Sequence, residues 1–245
     1  MKSIKKKVSG VLIASTLVMG APFATNAKAS ENNGNNSLKH KVDYVALGDS
    51  LAAGRTPYDQ FDKGYPDYIA QSLKESNHKV FFENFGKSGY TSEDVKNDIL
   101  TNKDIRKEIR TANVITLDIG ANDLLRKLYT DPAHVTDALT TVNNNLQLIL
   151  ETIDELNPKA KVYVMGYYNP FPHYPTEQQA SLLVLLSGLN KTIQGQAALN
   201  GDQYVSTLEV IKPNEKEYVP NPKDIHLTLD GYQVVANQFL KSLNN

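Results

Sequence analysis

The chain has 245 residues, room for one domain or a tight pair, and its 40% hydrophobic and 22% charged residues exclude global disorder. Cysteine is absent, which excludes disulfide scaffolds, thiolate metal sites and cysteine nucleophiles. The formal net charge of −1 joins two unlike parts: residues 1–29 hold five lysines and no acid, and the remainder carries 21 basic against 27 acidic residues, which gives no electrostatic reason to expect a nucleic-acid partner.

Lys2, Lys5, Lys6 and Lys7 precede an apolar run from Val8 to Gly20, and Ala27-Lys28-Ala29 follows. A charged start, a short apolar core and a small-x-small site are the three parts of a secretory signal peptide, so residues 1–29 are expected to be removed after Ala29. The apolar run of 13 residues falls short of the roughly 20 that a membrane span takes. The mature chain, 216 residues, is therefore expected to be secreted and to have no integral membrane segment. Residues 30–40, which open with SENNGNNS, read as a polar linker too poor in apolar side chains to pack. Residues 41–245 read as the folded domain.

Within that domain, short apolar runs alternate with helical periodicity. Strands are expected at Val42 to Leu47, Val80 to Phe85, Ala112 to Asp118, Lys161 to Gly166 and, more weakly, Gln203 to Thr207. Helices are expected at Tyr65 to Leu73, with Pro66 in its first turn, and at Thr91 to Leu100, which starts on an N-cap signal. Val135 to Leu156, with an apolar face from Leu139 to Ile153, Gln178 to Ala198, and Leu229 to Leu243 complete the set. Strands that are continuously apolar, alternating with helices, indicate a parallel sheet buried on both faces. The expected fold is one three-layer α/β/α sandwich around a five-stranded sheet.

In such sheets ligands sit where strands end, and the first three strands end in Gly48-Asp49-Ser50, Gly86-Lys87-Ser88-Gly89 and Gly120-Ala121-Asn122-Asp123. Three familiar motifs fail here. A phosphate-binding loop ending at Gly86-Lys87-Ser88 needs a glycine where Phe81 stands. The stretch Asn84 to Gly89 is one glycine short of a dinucleotide fingerprint. Gly48-Asp49-Ser50-Leu51-Ala52 ends in alanine where a nucleophile elbow wants glycine. The five histidines (40, 78, 134, 173 and 226) form no helical pair, so a zinc site is not expected; no cofactor is expected either.

Gly48-Asp49-Ser50-Leu51 resembles the founding motif of the SGNH, or GDSL, family of esterases and lipases. Asn84 and Gly89, where the second strand ends, match its glycine block, and Gly120-Ala121-Asn122-Asp123 its Gly-x-Asn-Asp block. Asp224-Ile225-His226 ahead of the last helix matches its histidine block. The resemblance runs from about Val42 to Leu243 and implies a flavodoxin-like fold and serine esterase activity. By that resemblance Ser50, leading from a strand into the first helix, is the nucleophile and His226 the base. The backbone N–H groups of Ser50 and Gly89 and the amide of Asn122 are the oxyanion donors. Asp49 and Asp123 read as turn formers and hydrogen-bond braces.

One departure bears on the third catalytic group. The family's acid usually stands three residues before the histidine, where this chain has Lys223; Asp224 stands two before it, and Leu227 replaces the usual following proline. In an extended segment Asp224 faces the same side as His226; in a tight turn it points away and leaves a backbone carbonyl to orient the ring. Asp224 is the preferred orienting acid. Tyr167 to Pro175, an aromatic and proline-stiffened loop after the fourth strand, reads either as an ordinary packed loop or as a wall for substrate, with Tyr168 and Phe171 as binding residues. The expected substrate is a lipid-like carboxylic ester. Carbohydrate O-deacetylation and a non-catalytic binding module are the alternatives.

Overall fold

The computed structural model describes residues 40–244; the expected signal peptide, its cleavage point and, apart from His40, the expected linker lie outside them. In chain order the elements are β1 (Lys41–Gly48), α1 (Tyr65–Glu75), β2 (Lys79–Asn84), α2 (Ser92–Thr101), α3 (Lys103–Thr111), β3 (Val114–Asp118) and α4 (Ala121–Thr130). They continue as α5 (Asp137–Leu156), β4 (Lys161–Gly166), α6 (Thr176–Asn200), β5 (Gln203–Ser206), the single turns α7 (Leu208–Ile211) and α8 (Glu215–Tyr218), and α9 (Leu229–Leu243).

All neighbouring strands pair in parallel, in the order β2-β1-β3-β4-β5. This is the flavodoxin-like order, whose binding crevice lies where β1 and β3 part. Parallel strands need crossover helices, and these cover both faces of the sheet. On one face α1 packs on α9, with Tyr65 stacked on Phe239 at a centroid distance of 4.8 Å and both rings fully buried. Removing such a ring costs about 3–5 kcal/mol. On the other face α5 packs against α2, α3, α4 and α6. The central strands are buried as continuous apolar runs require, whereas β2 lies at an edge with Phe81 exposed under the ammonium groups of Lys41 and Lys79.

Local chemistry sets the helix starts nearest the site. The Asp94 carboxylate accepts the Thr91 N–H at 2.9 Å and opens α2. Gly120, at φ +115°, opens α4; a Cβ there would press Val142 and Leu189 at 3.0 and 3.1 Å. Ser50 does not lead directly into the first helix, which forms at Tyr65 as expected. Residues 50–54 make a tight turn, with Asp49 O accepting from Ala53 N–H and Ser50 O from Arg55 N–H, and the first helix begins only at Tyr65. Gly54 in the left-handed region at φ +74° and Gly64 close against Leu51 and Ala52 turn the chain away before a second helical turn can add.

Candidate active site

The ends of β1 and β3 bring the first groups together. Gly48 pairs in register with Asp118, and a Cβ at position 48 would lie 2.3 Å from Asp118 Oδ1, so glycine is what lets that carboxyl close against the strand. Beyond it, Asp49 Oδ1 accepts the Leu51 N–H at 2.9 Å, a side-chain turn that presents Ser50 at the carboxyl edge of the sheet. Gly86 serves the same turn from β2: a Cβ there would meet Ala52 at 2.5 Å. Asn84 Nδ2 donates to Ala52 O at 2.8 Å.

His226 arrives from the segment between α8 and α9. Its Nε2 lies 2.8 Å from Ser50 Oγ across 176 residues of chain, and its Nδ1 lies 2.6 Å from Asp224 Oδ1. An ionised carboxylate only accepts, so Nδ1 carries the proton and Nε2 is left to accept from the Ser50 hydroxyl. The open question of the two-residue spacing is answered by a turn that points inward: Asp224 Oδ1 also accepts the backbone N–H of His226 at 2.8 Å. The segment is held by Asn221 Nδ2 donating to Pro57 O and by the Tyr168 hydroxyl donating to Ile225 O. Ser50 and His226 are each 6% exposed.

Asn122 sits in the first turn of α4, where Nδ2 donates to Tyr90 O at 2.8 Å and keeps its second hydrogen free. Gly89 adopts φ +83° with open space where a Cβ would be, and its carbonyl accepts from Arg126 at 2.8 Å. Among the described residues neither the Ser50 nor the Gly89 N–H has a protein acceptor. Asp123 is the brace expected of it, accepting both the N–H and the hydroxyl of Ser92.

Ser50 and Asn122 open onto a narrow cleft. Tyr168 and Phe171 line it, both buried, so the loop is at once packed and a wall. Most of the remaining lining is leucine: Leu124, Leu125 and Leu128 from α4, and Leu182, Leu185, Leu186 and Leu189 from α6. These leucines stand outside the residues expected at the site. Their signal is the run Leu182 to Leu186, apolar on every side of a helix that has only one face to bury. Asp118, Tyr65 and the Tyr167 hydroxyl likewise stand outside the expected set. Burial, with the Asp49 charge second, holds the Asp118 carboxyl far above the usual carboxylate range; burial raises Asp49 as well.

Among the described residues no cluster of histidines and carboxylates is arranged to hold a metal ion, and no helix is long and apolar enough to cross a membrane. A parallel α/β sandwich with hydrogen-bonded serine, histidine and aspartate at its carboxyl edge defines the SGNH class of hydrolases. This chain belongs to the GDSL-like lipase/acylhydrolase family, whose sequence model matches residues 46–234. It is 21% identical to the uncharacterized protein YpmR of Bacillus subtilis (strain 168), over 98% of this chain and 97% of that one. Among solved structures it is similar to the lipase Lip_vut3 from a goat rumen metagenome, with 26% identity, a TM-score of 0.70, and 83% and 97% of the two chains covered. Its fold is also that of Axe2, an acetylxylan esterase from Geobacillus stearothermophilus, at 18% identity and a TM-score of 0.63 over 84% and 94%.

Proposed function

We propose that this chain is an exported serine esterase that hydrolyses acyl-chain esters through an acyl-enzyme on Ser50. His226 Nε2 takes the Ser50 proton as Oγ attacks the ester carbonyl, and Asp224 orients the imidazole and offsets its positive charge. The oxyanion receives hydrogen bonds from the Ser50 and Gly89 N–H groups and from the Asn122 amide, all neutral donors that need no titration to act. Collapse of the tetrahedral intermediate releases the alcohol, which takes the proton from His226. Water, deprotonated by the same imidazole, then attacks the acyl-enzyme, frees the acid and restores Ser50.

The observation that carries the substrate reading is the leucine-lined cleft opening on Ser50. An acyl chain gains free energy by leaving water there, about 0.8 kcal/mol per buried methylene, whereas a sugar ring would face few polar partners on that side. The test is hydrolysis of p-nitrophenyl esters from acetyl to octanoyl, with Ser50→Ala as control. The expected result is a rise in kcat/KM with chain length and no activity in Ser50→Ala. Hydrolysis unchanged in the variant would sink the Ser50 assignment, and a strong acetyl preference would replace acyl-chain esters with O-acetyl groups. Export is supported by the charge and hydropathy pattern of residues 1–29; its check is the N-terminal sequence of the mature protein, expected to begin at Ser30.

A further inference from the structure

Two buried carboxyls, Asp49 and Asp118, stand directly behind the nucleophile with no role in the steps above. They are 2% and 0% exposed. The Asp49 N–H donates to the Asp118 backbone carbonyl at 3.1 Å and to Asp118 Oδ2 at 3.2 Å. Asp118 also accepts from the Ala52 N–H at 3.3 Å and from the Tyr65 hydroxyl at 2.6 Å. Asp49 accepts from the Leu51 N–H at 2.9 Å and the Tyr167 hydroxyl at 2.8 Å. Among the described residues neither carboxyl is ion-paired with a lysine or arginine. Two like charges this close, dry and without a cation, do not both ionise.

Building on the Ser50–His226 reading, we propose that Asp49 and Asp118 share one proton, and that the single negative charge left on Asp49 is a second counter-charge, beside Asp224, for the His226 imidazolium formed during the reaction. The Asp49 N–H on Asp118 Oδ2 holds the two carboxyls in one dry pocket, and the Asp118 side is the one that burial keeps protonated. Ser50, the residue after Asp49, lies 2.8 Å from His226 Nε2, which sets the imidazolium one residue along the chain from the Asp49 charge. Asp49 is thus a positioning residue fixed in place before the reaction starts, as a preorganised charge must be to lower a barrier. The other titratable groups facing the pair are Tyr44 on β1, Tyr65 on α1, Tyr167 and Tyr168 after β4, Asp224 beside His226, and Tyr232 on α9. Burial raises all five tyrosines well above their usual range, so none of them changes charge between pH 5 and 9.

The test compares wild type, Asp118→Asn and Asp49→Asn in kcat and KM for p-nitrophenyl butyrate across that pH range, with Ser50→Ala as background. Asparagine at 118 copies a protonated acid, donating to Asp49 and accepting from the backbone. That variant is expected to keep kcat within about threefold and to leave the acid limb of kcat/KM unmoved. Asparagine at 49 removes the charge, so its acid limb should move to lower pH with kcat about tenfold down and KM within about twofold. A limb displaced equally in both variants would mean that both carboxyls are ionised, and a limb unmoved in Asp49→Asn would mean that the charge does not act on His226. Either result overturns the proposal. Infrared spectra keep the question open to test if Asp49→Asn does not fold: wild type at pH 8 should show a protonated carboxylic-acid band that Asp118→Asn loses, and its absence from wild type overturns the shared proton. Full activity in Ser50→Ala would instead overturn the Ser50 reading on which the imidazolium depends.

Discussion

The Tyr167 hydroxyl donates to Asp49 Oδ2 at 2.8 Å across 118 residues of chain, so the wall of the cleft and the turn that carries Ser50 form one hydrogen-bonded unit. The backbone on either side of the Tyr167 ring is itself pinned to α6, where Asn190 Oδ1 accepts the Tyr167 N–H at 2.7 Å and Asn190 Nδ2 donates to its carbonyl at 2.8 Å. Tyr167→Phe keeps the ring and removes one hydrogen bond to a buried carboxylate, worth about 1.5–3 kcal/mol. Calorimetry should find Tm lower by roughly 3–12 °C, and kcat should fall about three- to tenfold with KM nearly constant. An unchanged Tm would show that this bond does not brace the turn.

Asp224 Oδ1 receives both the Nδ1 proton and the backbone N–H of His226. Asp224→Asn can present an amide N–H to Nδ1, which moves the ring proton to Nε2 and leaves nothing to accept the Ser50 hydroxyl proton. The expected loss is about 10³–10⁴ in kcat with KM little changed. A loss below about threefold would move the orienting role to another group.

The groups readable from sequence are those whose chemistry is local. Gly48-Asp49-Ser50 and Gly120-Ala121-Asn122 announce themselves because a strand end and a helix start must turn within a few residues. Asp224 was legible as a candidate, but its direction depended on Asn221 reaching Pro57 and Tyr168 reaching Ile225, contacts 164 and 57 residues apart. Asp118 looked like the tail of an apolar strand, and only its register with Gly48 sets it beside Asp49. Helix α3 escaped notice because Ile105 and Ile109 are its only buried positions, a single i, i+4 pair rather than a stripe. Helix α4 was hidden because Asn122 and Asp123 are turn-forming residues that here occupy its first turn.

Leu185 lies half-buried on α6 where the helix borders the cleft. Leu185→Trp adds a ring to a narrow space that long acyl chains must enter and short ones need not. Relative to wild type, kcat/KM for the octanoyl ester should fall about tenfold or more, while the acetyl ester stays within about threefold. Equal losses on both esters would place the acyl chain elsewhere.

Stability should carry its own pH signature at Asp202, between α6 and β5. Burial pushes its carboxyl up to about 6; the Asn200 Nδ2 hydrogen bond at 2.9 Å opposes the shift and the nearby Asp154 charge adds to it. The unfolded chain titrates this side chain near 4, so the folded state binds the proton more tightly. That contribution is fully present below about pH 4 and is lost as pH rises through about 6. Asp202→Asn stays neutral throughout and keeps an acceptor for Asn200. The side chain remains partly exposed, and solvent screening reduces the expected gain to about 1 kcal/mol, or roughly 2–4 °C in Tm. Scanning calorimetry should therefore find Asp202→Asn more stable than wild type at pH 8 and equal to it at pH 4. A gain of the same size at both pH values would assign the effect to packing rather than to ionisation.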